Sequence, residues 1–142
     1  MSVEENLNII EIVDKAFNER DWDIFNRCHT ESIICYTPRT PEPDKGIDAH
    51  RESVKGLIST FPDFHLKRER SFGQDDWTCA IYKITGTHKS PLQGSGGKTI
   101  PPTNKPIRID LAIALRFEGG KIAEEHIYYD RLAMLAQLGL AP

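Results

Sequence analysis

The sequence predicts an α+β protein in which helices come first and a bent sheet of antiparallel strands follows. Two segments, 3–20 and 46–61, place apolar side chains at i, i+3 and i+4 spacing, which is typical of amphipathic helices. After Pro62 the apolar period changes to two, as in β-strands. A chain of 142 residues is long enough for one domain with a real core and too short for two. We therefore expect helices packed on one face of the sheet.

The first half of the chain is expected to hold three helices and one strand. The core face of the first helix comprises Val3, Leu7, Ile10, Val13, Ala16 and Phe17. A second, short helix is predicted over 21–28, and IICY at 33–36 predicts a strand that ends at the proline-rich stretch 37–43. The third helix, 46–61, presents Val54, Leu57, Ile58 and Phe61 to the core and stops at Pro62.

The second half is expected to be mostly sheet. Strands are predicted at 63–72, 77–89, 106–117 and 121–130. The stretch 90–106 is rich in glycine and proline and predicts a mobile loop at the mouth of a cavity. EGG at 118–120 predicts a tight hairpin turn. A short helix should close the chain, with Gly139 at its C-terminus.

Charge and composition narrow the choice of partners. The formal net charge of −3 argues against nucleic acid, because phosphate binding needs a basic face. The acidic N-terminus does not resemble a signal peptide, and no stretch approaches the ~18–20 apolar residues of a membrane span. Cys28, Cys35 and Cys79 are odd in number and irregularly spaced, which favours free thiols and a cytoplasmic location.

Four motifs occur in order along the second half: GTH (86–88), IPPTNKPI (100–107), RFEGGKI (116–122) and YYDRLAMLAQLG (128–139). In these motifs the chain resembles the SnoaL-like polyketide cyclases, also called ester cyclases, of the nuclear-transport-factor-2-like superfamily. The resemblance implies a single domain over 1–142. It also implies a cone-shaped, curved mixed or antiparallel sheet of cystatin-like type, with the N-terminal helices packed on its concave face. A deep apolar pocket and a homodimer are further implications.

The resemblance also implies a chemistry. In such cyclases an aspartate at the end of the last strand acts as the acid and base for an intramolecular aldol closure of a polyketide ester, without metal or cofactor. The matching residue is Asp130. A histidine that these cyclases carry on the preceding strand is matched by Ile113. This departure leaves the substrate, and with it the reaction, open.

Strand alternation leads to the same aspartate. Side chains of Ile122, Glu124, His126, Tyr128 and Asp130 should share one side of the last strand, which is the pocket side if Ile122 faces the core. Buried against apolar walls, Asp130 would suit proton transfer near neutral pH, with Tyr128 and His126 orienting the substrate. The alternative is that Asp130 only caps the helix that follows it.

Further pocket residues are expected on the core-facing positions. The candidates for substrate binding are Phe17, Tyr36, Arg68, Tyr82, His88, Leu111 and Ile113. Arg68 could instead extend to solvent or meet an anionic group of the protein, and His88 could bond to the loop. The five histidines show no metal-binding spacing, so no metal is expected.

Two classes of function remain open on the sequence. One is a cofactor-independent cyclase, isomerase or hydrolase that acts on a small apolar carbonyl or ester compound. The other is a non-catalytic module of the same fold that binds a small hydrophobic molecule or serves dimerisation. Fold alone does not separate them, because function belongs to the site.

Overall fold

A computed structural model describes residues 2–93 and 98–140. The helices are α1 (Val3–Glu19), α2 (Trp22–Arg27), α3 (Ile47–Thr60) and α4 (Arg131–Gln137). The strands are β1 (His29–Tyr36), β2 (Asp44–Lys45), β3 (His65–Gln74), β4 (Trp77–Thr87), β5 (Leu92–Gln93), β6 (Thr99–Ile100), β7 (Pro106–Glu118) and β8 (Lys121–Tyr129). The predicted helices and main strands are confirmed, with ends that differ by a few residues.

Six strands form a mixed sheet in the order β2-β1-β8-β7-β4-β3. Strand β1 runs parallel to β8, and the other neighbours are antiparallel. Helix α1 packs on β3 and β4, while α3 packs on β1. The predicted α+β class, a curved mixed sheet covered by the N-terminal helices, is confirmed.

Local sequence explains where the helices begin. Ser2 and Glu5 form a reciprocal capping box at the start of α1. The Asp21 carboxylate accepts the backbone N–H of Ile24 at the start of α2. The buried residues of α1 include Ile10, which is fully buried in the main core. These caps and the apolar face hold α1 and α2 against the sheet.

The predicted turn between β7 and β8 is confirmed. Gly119 and Gly120 both have positive φ, at 55° and 79°, which suits glycine at the two central positions of a tight hairpin. In the stretch 90–106, β5 and β6 form a two-residue ladder, and residues 94–97 lie outside the described part. The stretch was expected at the mouth of the cavity between the sheet and the helices. None of its described residues lines that cavity.

A β-bulge in β8 decides which side chains face the helices. Phe117 of β7 pairs with Ile122, but the next residue back, Arg116, pairs with Glu124, so Ala123 is an extra residue. The side-chain alternation therefore changes phase at this point. Ile122 faces inward before the bulge, and Glu125 is the first of the inward-facing residues after it.

Two further expectations concern the state of the cysteines and the presence of a membrane-spanning helix. Cys28, Cys35 and Cys79 are free. No helix in residues 2–93 and 98–140 combines the length and the apolarity needed to cross a membrane.

Candidate functional site

A cavity of about 190 Å³ lies between the sheet and the helices, several times the ~30 Å³ that a water molecule occupies in the liquid. Strand β7 forms one wall, with Ile107, Ile109, Leu111, Ile113 and Leu115. Helices α1 and α3 add apolar side chains, among them Phe17 and Leu57. Of the predicted substrate-binding residues, Phe17, Tyr82, Leu111 and Ile113 lie in this lining. The walls therefore suit a small apolar molecule.

Three titratable side chains meet in the lining, which we call the His29–His50–Glu125 cluster. They come from β1, α3 and β8. The Nε2 atom of His50 lies 3.1 Å from Oε1 of Glu125, and the two imidazole rings have centroids 4.6 Å apart. The side chains are almost inaccessible, with 4% exposure for His29, 3% for His50 and 9% for Glu125. The cluster places groups able to move protons beside an apolar space.

Burial and hydrogen bonding fix the protonation of the cluster. Burial, reinforced by His50, lowers the pKa of His29 to about 4, so that its imidazole is neutral at pH 7. Its Nδ1 lies 2.8 Å from the carbonyl oxygen of Phe25 and must donate to it, which leaves Nε2 with a lone pair.

Glu125 is the anionic member. Burial has the largest effect on Glu125 and would raise its pKa, but the hydrogen bond from His50 and the attraction of the neighbouring histidines together hold the pKa below its ordinary value. The His50 Nε2–H therefore donates to a carboxylate. The other ring nitrogen, Nδ1, is buried and has no hydrogen-bond partner among the described residues. His50 is thus oriented by a carboxylate and keeps an unused nitrogen.

A second group of polar side chains at the cavity forms hydrogen bonds among its own members. The Asp14 carboxylate accepts from the Tyr82 hydroxyl at 2.9 Å and from Nη1 of Arg68 at 2.7 Å. Burial raises the pKa of Asp14 in spite of these two bonds, and burial, then Asp14, raise the pKa of Tyr82. Arg68 therefore meets an anionic group of the protein, Asp14, which was one of the alternatives expected for it. The group ties α1 to β3 and β4.

Polar residues also line the cavity where the β1–β2 connection approaches α3. One guanidinium nitrogen of Arg39, Nη2, donates to Asp44 at 3.3 Å and to the Ser53 hydroxyl at 3.1 Å. Arg39 is exposed, whereas Ser53 and Asp44 are half-buried. This polar edge gives the cavity contact with solvent.

The profile of one protein family, described as SnoaL-like polyketide cyclase, matches residues 8–138. The chain belongs to the SnoaL-like polyketide cyclase family. No curated protein matches the sequence.

Solved structures share the fold at low sequence identity. A candidate SnoaL-like polyketide cyclase from Jannaschia sp. CCS1 superposes with a TM-score of 0.86 at 16% identity, covering 98% of this chain and 94% of the other. AclR, a candidate hydroxylase from Streptomyces galilaeus, gives 0.82 at 22%, covering 99% and 100%. IdmH, a candidate polyketide cyclase from Streptomyces antibioticus, gives 0.78 at 21%, covering 94% and 98%.

Asp130, the acid that the resemblance to the SnoaL-like family implied, lies outside the cavity. Its side chain is exposed and accepts the backbone N–H of Ala133 at 2.9 Å as the N-cap of α4. Asp130 is absent from the cavity lining. The expectation that it reaches into the pocket is therefore wrong, because the bulge turns this end of β8 the other way and the carboxylate is used by the helix.

His126, Tyr128 and Tyr36, which the sequence predicted in the pocket, lie on the outer face of the sheet. The His126 Nε2 atom lies 2.7 Å from Glu124, and its ring stacks on Tyr36 with centroids 4.5 Å apart. Tyr128 is 60% exposed and Tyr36 is 40% exposed. Their predicted place in the pocket is wrong. The bulge at Ala123 reverses the alternation for His126 and Tyr128, and Tyr36 pairs with His126 on the same outer face.

His88 is buried but does not line the cavity. Its Nδ1 accepts the backbone N–H of Thr103 at 3.1 Å, so the loop-bonded alternative is the one observed. The spacing of the histidines in the sequence shows no metal-binding motif, but the fold brings two of them together with an acid. In the folded chain, His29 and His50 join Glu125 with donor atoms that all lie within 4.8 Å of one another.

Sequence reasoning missed the cluster because its members come from three elements far apart in the chain. One signal was available for Glu125. In KIAEEHIYY the apolar residues Ile122 and Ile127 are an odd number of positions apart, which a regular strand with one buried face does not allow. Such a change of phase indicates a bulge between them.

Proposed function

We propose that this SnoaL-like chain is a cyclase- or isomerase-type enzyme that acts on a small apolar carbonyl or ester compound without a cofactor. The His29–His50–Glu125 cluster, rather than Asp130, would move the proton. The observation that carries the proposal is a buried histidine, oriented by a carboxylate, that keeps an unused nitrogen in the lining of an apolar cavity.

The proposed chemistry begins at His50. Its Nδ1 takes a proton from the carbon next to the substrate carbonyl, and the electron pair moves onto the carbonyl oxygen as an enolate. Glu125 stabilises the imidazolium that forms, as the carboxylate does in a catalytic triad. The enolate carbon then attacks a second carbonyl of the same molecule, or is protonated again at another position. The imidazolium returns the proton to the new alkoxide or carbon, so no proton is gained or lost overall.

The surroundings favour such a step. Apolar walls from β7 and from α1 lower the polarity around the cluster, which strengthens electrostatic interactions there. Stacking of the His50 ring on Phe25, with centroids 5.8 Å apart, fixes the plane of the imidazole. A group held in this way needs little reorganisation during proton transfer.

Exchange of α-protons in D₂O tests the proposal without knowledge of the natural substrate. Small apolar methyl ketones and β-keto esters are first screened for binding by NMR, and the loss of their α-proton signals is then followed with the protein. General acid–base groups contribute about 10²–10⁴-fold to rates, so His50→Gln should slow exchange by about 100-fold or more.

Glu125→Gln and Glu124→Gln form a matched pair for the same assay, because the two acids are neighbours on β8 that face opposite sides of the sheet. The first should slow exchange, and the second should leave the rate unchanged. Ketones that bind in the cavity without any protein-dependent exchange would contradict the enzyme and favour the alternative, a module that only binds small hydrophobic molecules.

We also propose a homodimer in a reducing compartment such as the cytoplasm. The outer face of the sheet carries exposed large side chains, which we call the outer patch: Tyr36, Phe72, Trp77, Ile81 and Tyr128. Such a patch is typical of an interaction surface, and three free thiols fit reducing conditions. Sedimentation of the wild type and of Tyr128→Lys tests the dimer, which the substitution should weaken.

A further inference from the structure

We infer that the His29–His50–Glu125 cluster is also a binding site for one divalent transition-metal ion. This goes beyond the proposed enzyme and does not depend on it. Two imidazoles and one carboxylate are a donor set that suits Zn²⁺, Co²⁺ and Fe²⁺ better than Mg²⁺ or Ca²⁺, which prefer oxygen ligands alone.

The first histidine is held as a metal ligand usually is. The Nδ1–H of His29 donates to the Phe25 carbonyl oxygen at 2.8 Å, which fixes the ring and leaves Nε2 with its lone pair. Metal-bound histidines characteristically donate their second ring nitrogen to a carbonyl or carboxylate in this manner. Phe25 is itself buried in the core, so this anchor does not depend on solvent.

The second histidine offers Nε2, the ring nitrogen that lies 3.1 Å from Glu125. Nδ1 of His50 is buried and has no hydrogen-bond partner in the part of the chain that the structure describes. When Nε2 binds the ion, the ring proton moves to Nδ1, and the Glu125 carboxylate that accepted from Nε2–H becomes available to the same ion. His50 is only 3% exposed and lies in the cavity lining.

The separations are close to those of a coordinated ion. Ligand atoms at ~2.0–2.1 Å from a metal lie about 2.8–3.4 Å from one another in octahedral or tetrahedral geometry. His50 Nε2 and Glu125 Oε1 are 3.1 Å apart, and all three donors lie within 4.8 Å. Side-chain rotations that bring the donors together by about 1–2 Å would complete the site, and the cavity leaves its other positions open to water or a ligand.

The chain contains a matched negative control. On the outer face, His126 and Glu124 form a histidine–carboxylate pair with a 2.7 Å contact. This pair has only two donors and is partly exposed to solvent. A pair of this kind should bind the same ion much more weakly than three buried donors.

The test is a titration of the full untagged chain with Co²⁺ after dialysis against a chelator, followed by the visible absorption of the bound ion and by Zn²⁺ competition. We expect one ion per chain. Glu125→Gln, nearly isosteric, should weaken binding by more than about 100-fold, since even outer partners of ligands contribute about 10–100-fold. His50→Gln should do the same, whereas Glu124→Gln and His126→Asn should bind as the wild type does.

Each result decides the inference. Binding of one ion that depends on Glu125 and His50 supports it. Absence of binding, equal binding by Glu125→Gln, or loss of binding in Glu124→Gln overturns it. Proton exchange measured in parallel keeps the two proposals apart. If the protein exchanges α-protons after chelator treatment and the titration shows no metal binding, the proposed enzyme is supported and the metal site is refuted. If exchange requires the added ion, the metal site is supported and a cofactor-independent base is refuted.

Discussion

Removal of the Asp130 side chain should cost stability without reducing activity. The carboxylate is exposed and its hydrogen bond to the protein backbone goes to the N–H of Ala133, at 2.9 Å. Loss of such an N-cap costs about 1 kcal/mol. Because α4 is also anchored by the buried side chains of Met134 and Leu138, Asp130→Ala should unfold in one transition, with Tm lower by about 3–4 °C.

Thermal and urea unfolding measure this cost, and α-proton exchange of a bound ketone measures activity. Asp130→Asn is the matched variant, since asparagine caps helices about as well as aspartate but cannot act as a base. It should keep both the Tm and the exchange rate. Asp21→Ala, which removes the corresponding cap of α2, should lose a similar amount of stability.

Two results would refute this reasoning. If Asp130→Asn abolished exchange while Tm and ligand binding were unchanged, the carboxylate would be a base after all and the cavity would not be the reaction site. If Asp130→Ala cost more than about 3 kcal/mol, the side chain would be doing more than capping, because a single exposed cap rarely contributes so much.

Four further single substitutions and one double variant test the fold. Urea unfolding measures two glycine substitutions. Gly56→Ala, at an exposed position of α3 where an added Cβ meets no atom within 4 Å, should stabilise by about 1 kcal/mol. Gly73→Ala, whose Cβ would lie 2.8 Å from the Trp77 carbonyl oxygen, should destabilise by about 1–3 kcal/mol. Arg68→Met leaves the half-buried Asp14 carboxylate with Tyr82 alone and should cost about 2–3 kcal/mol, much of it recovered in the Asp14→Asn/Arg68→Met double variant. Hydrogen bonds from Thr87 hold the pKa of Asp63 below its ordinary value of 3.8. The stability that the ionised Asp63 contributes is therefore present above pH 3.8 and is lost as the pH falls through the folded pKa. Thr87→Val should raise that pKa in an NMR titration.

The sequence was sufficient for the element order because local signals and tertiary packing agree there. Helix α1 carries a capping box and an apolar face, and the Gly119–Gly120 turn has the residues that its positive φ values require. The walls of the cavity were also predictable. Residues Ile109 to Leu115 of β7 alternate regularly, and the inward members are those expected from a period of two.

The polar part of the site was not predictable by counting along the last strand. Alternation carried across Ala123 assigned His126 and Tyr128 to the pocket, whereas the extra residue places Glu125 there. The partners of Glu125 were out of reach for another reason. His29 begins β1 and His50 lies in the first turn of α3. These elements meet Glu125 through the parallel pairing of β1 with β8 and the packing of α3 on β1.

The extra residue in β8 has a consequence for matching this chain to its relatives. Glu125, which pairs with Cys35 of β1, faces inward in this chain. In a chain without a counterpart of Ala123 the matching acid would still face inward, because deletion of the extra residue restores a regular ladder. The number of residues between the hairpin and the interior acid can therefore differ by one between proteins with the same interior. Positions in this strand are best aligned backward from the cap of the terminal helix, and an alignment anchored at the two glycines would compare interior side chains with exterior ones.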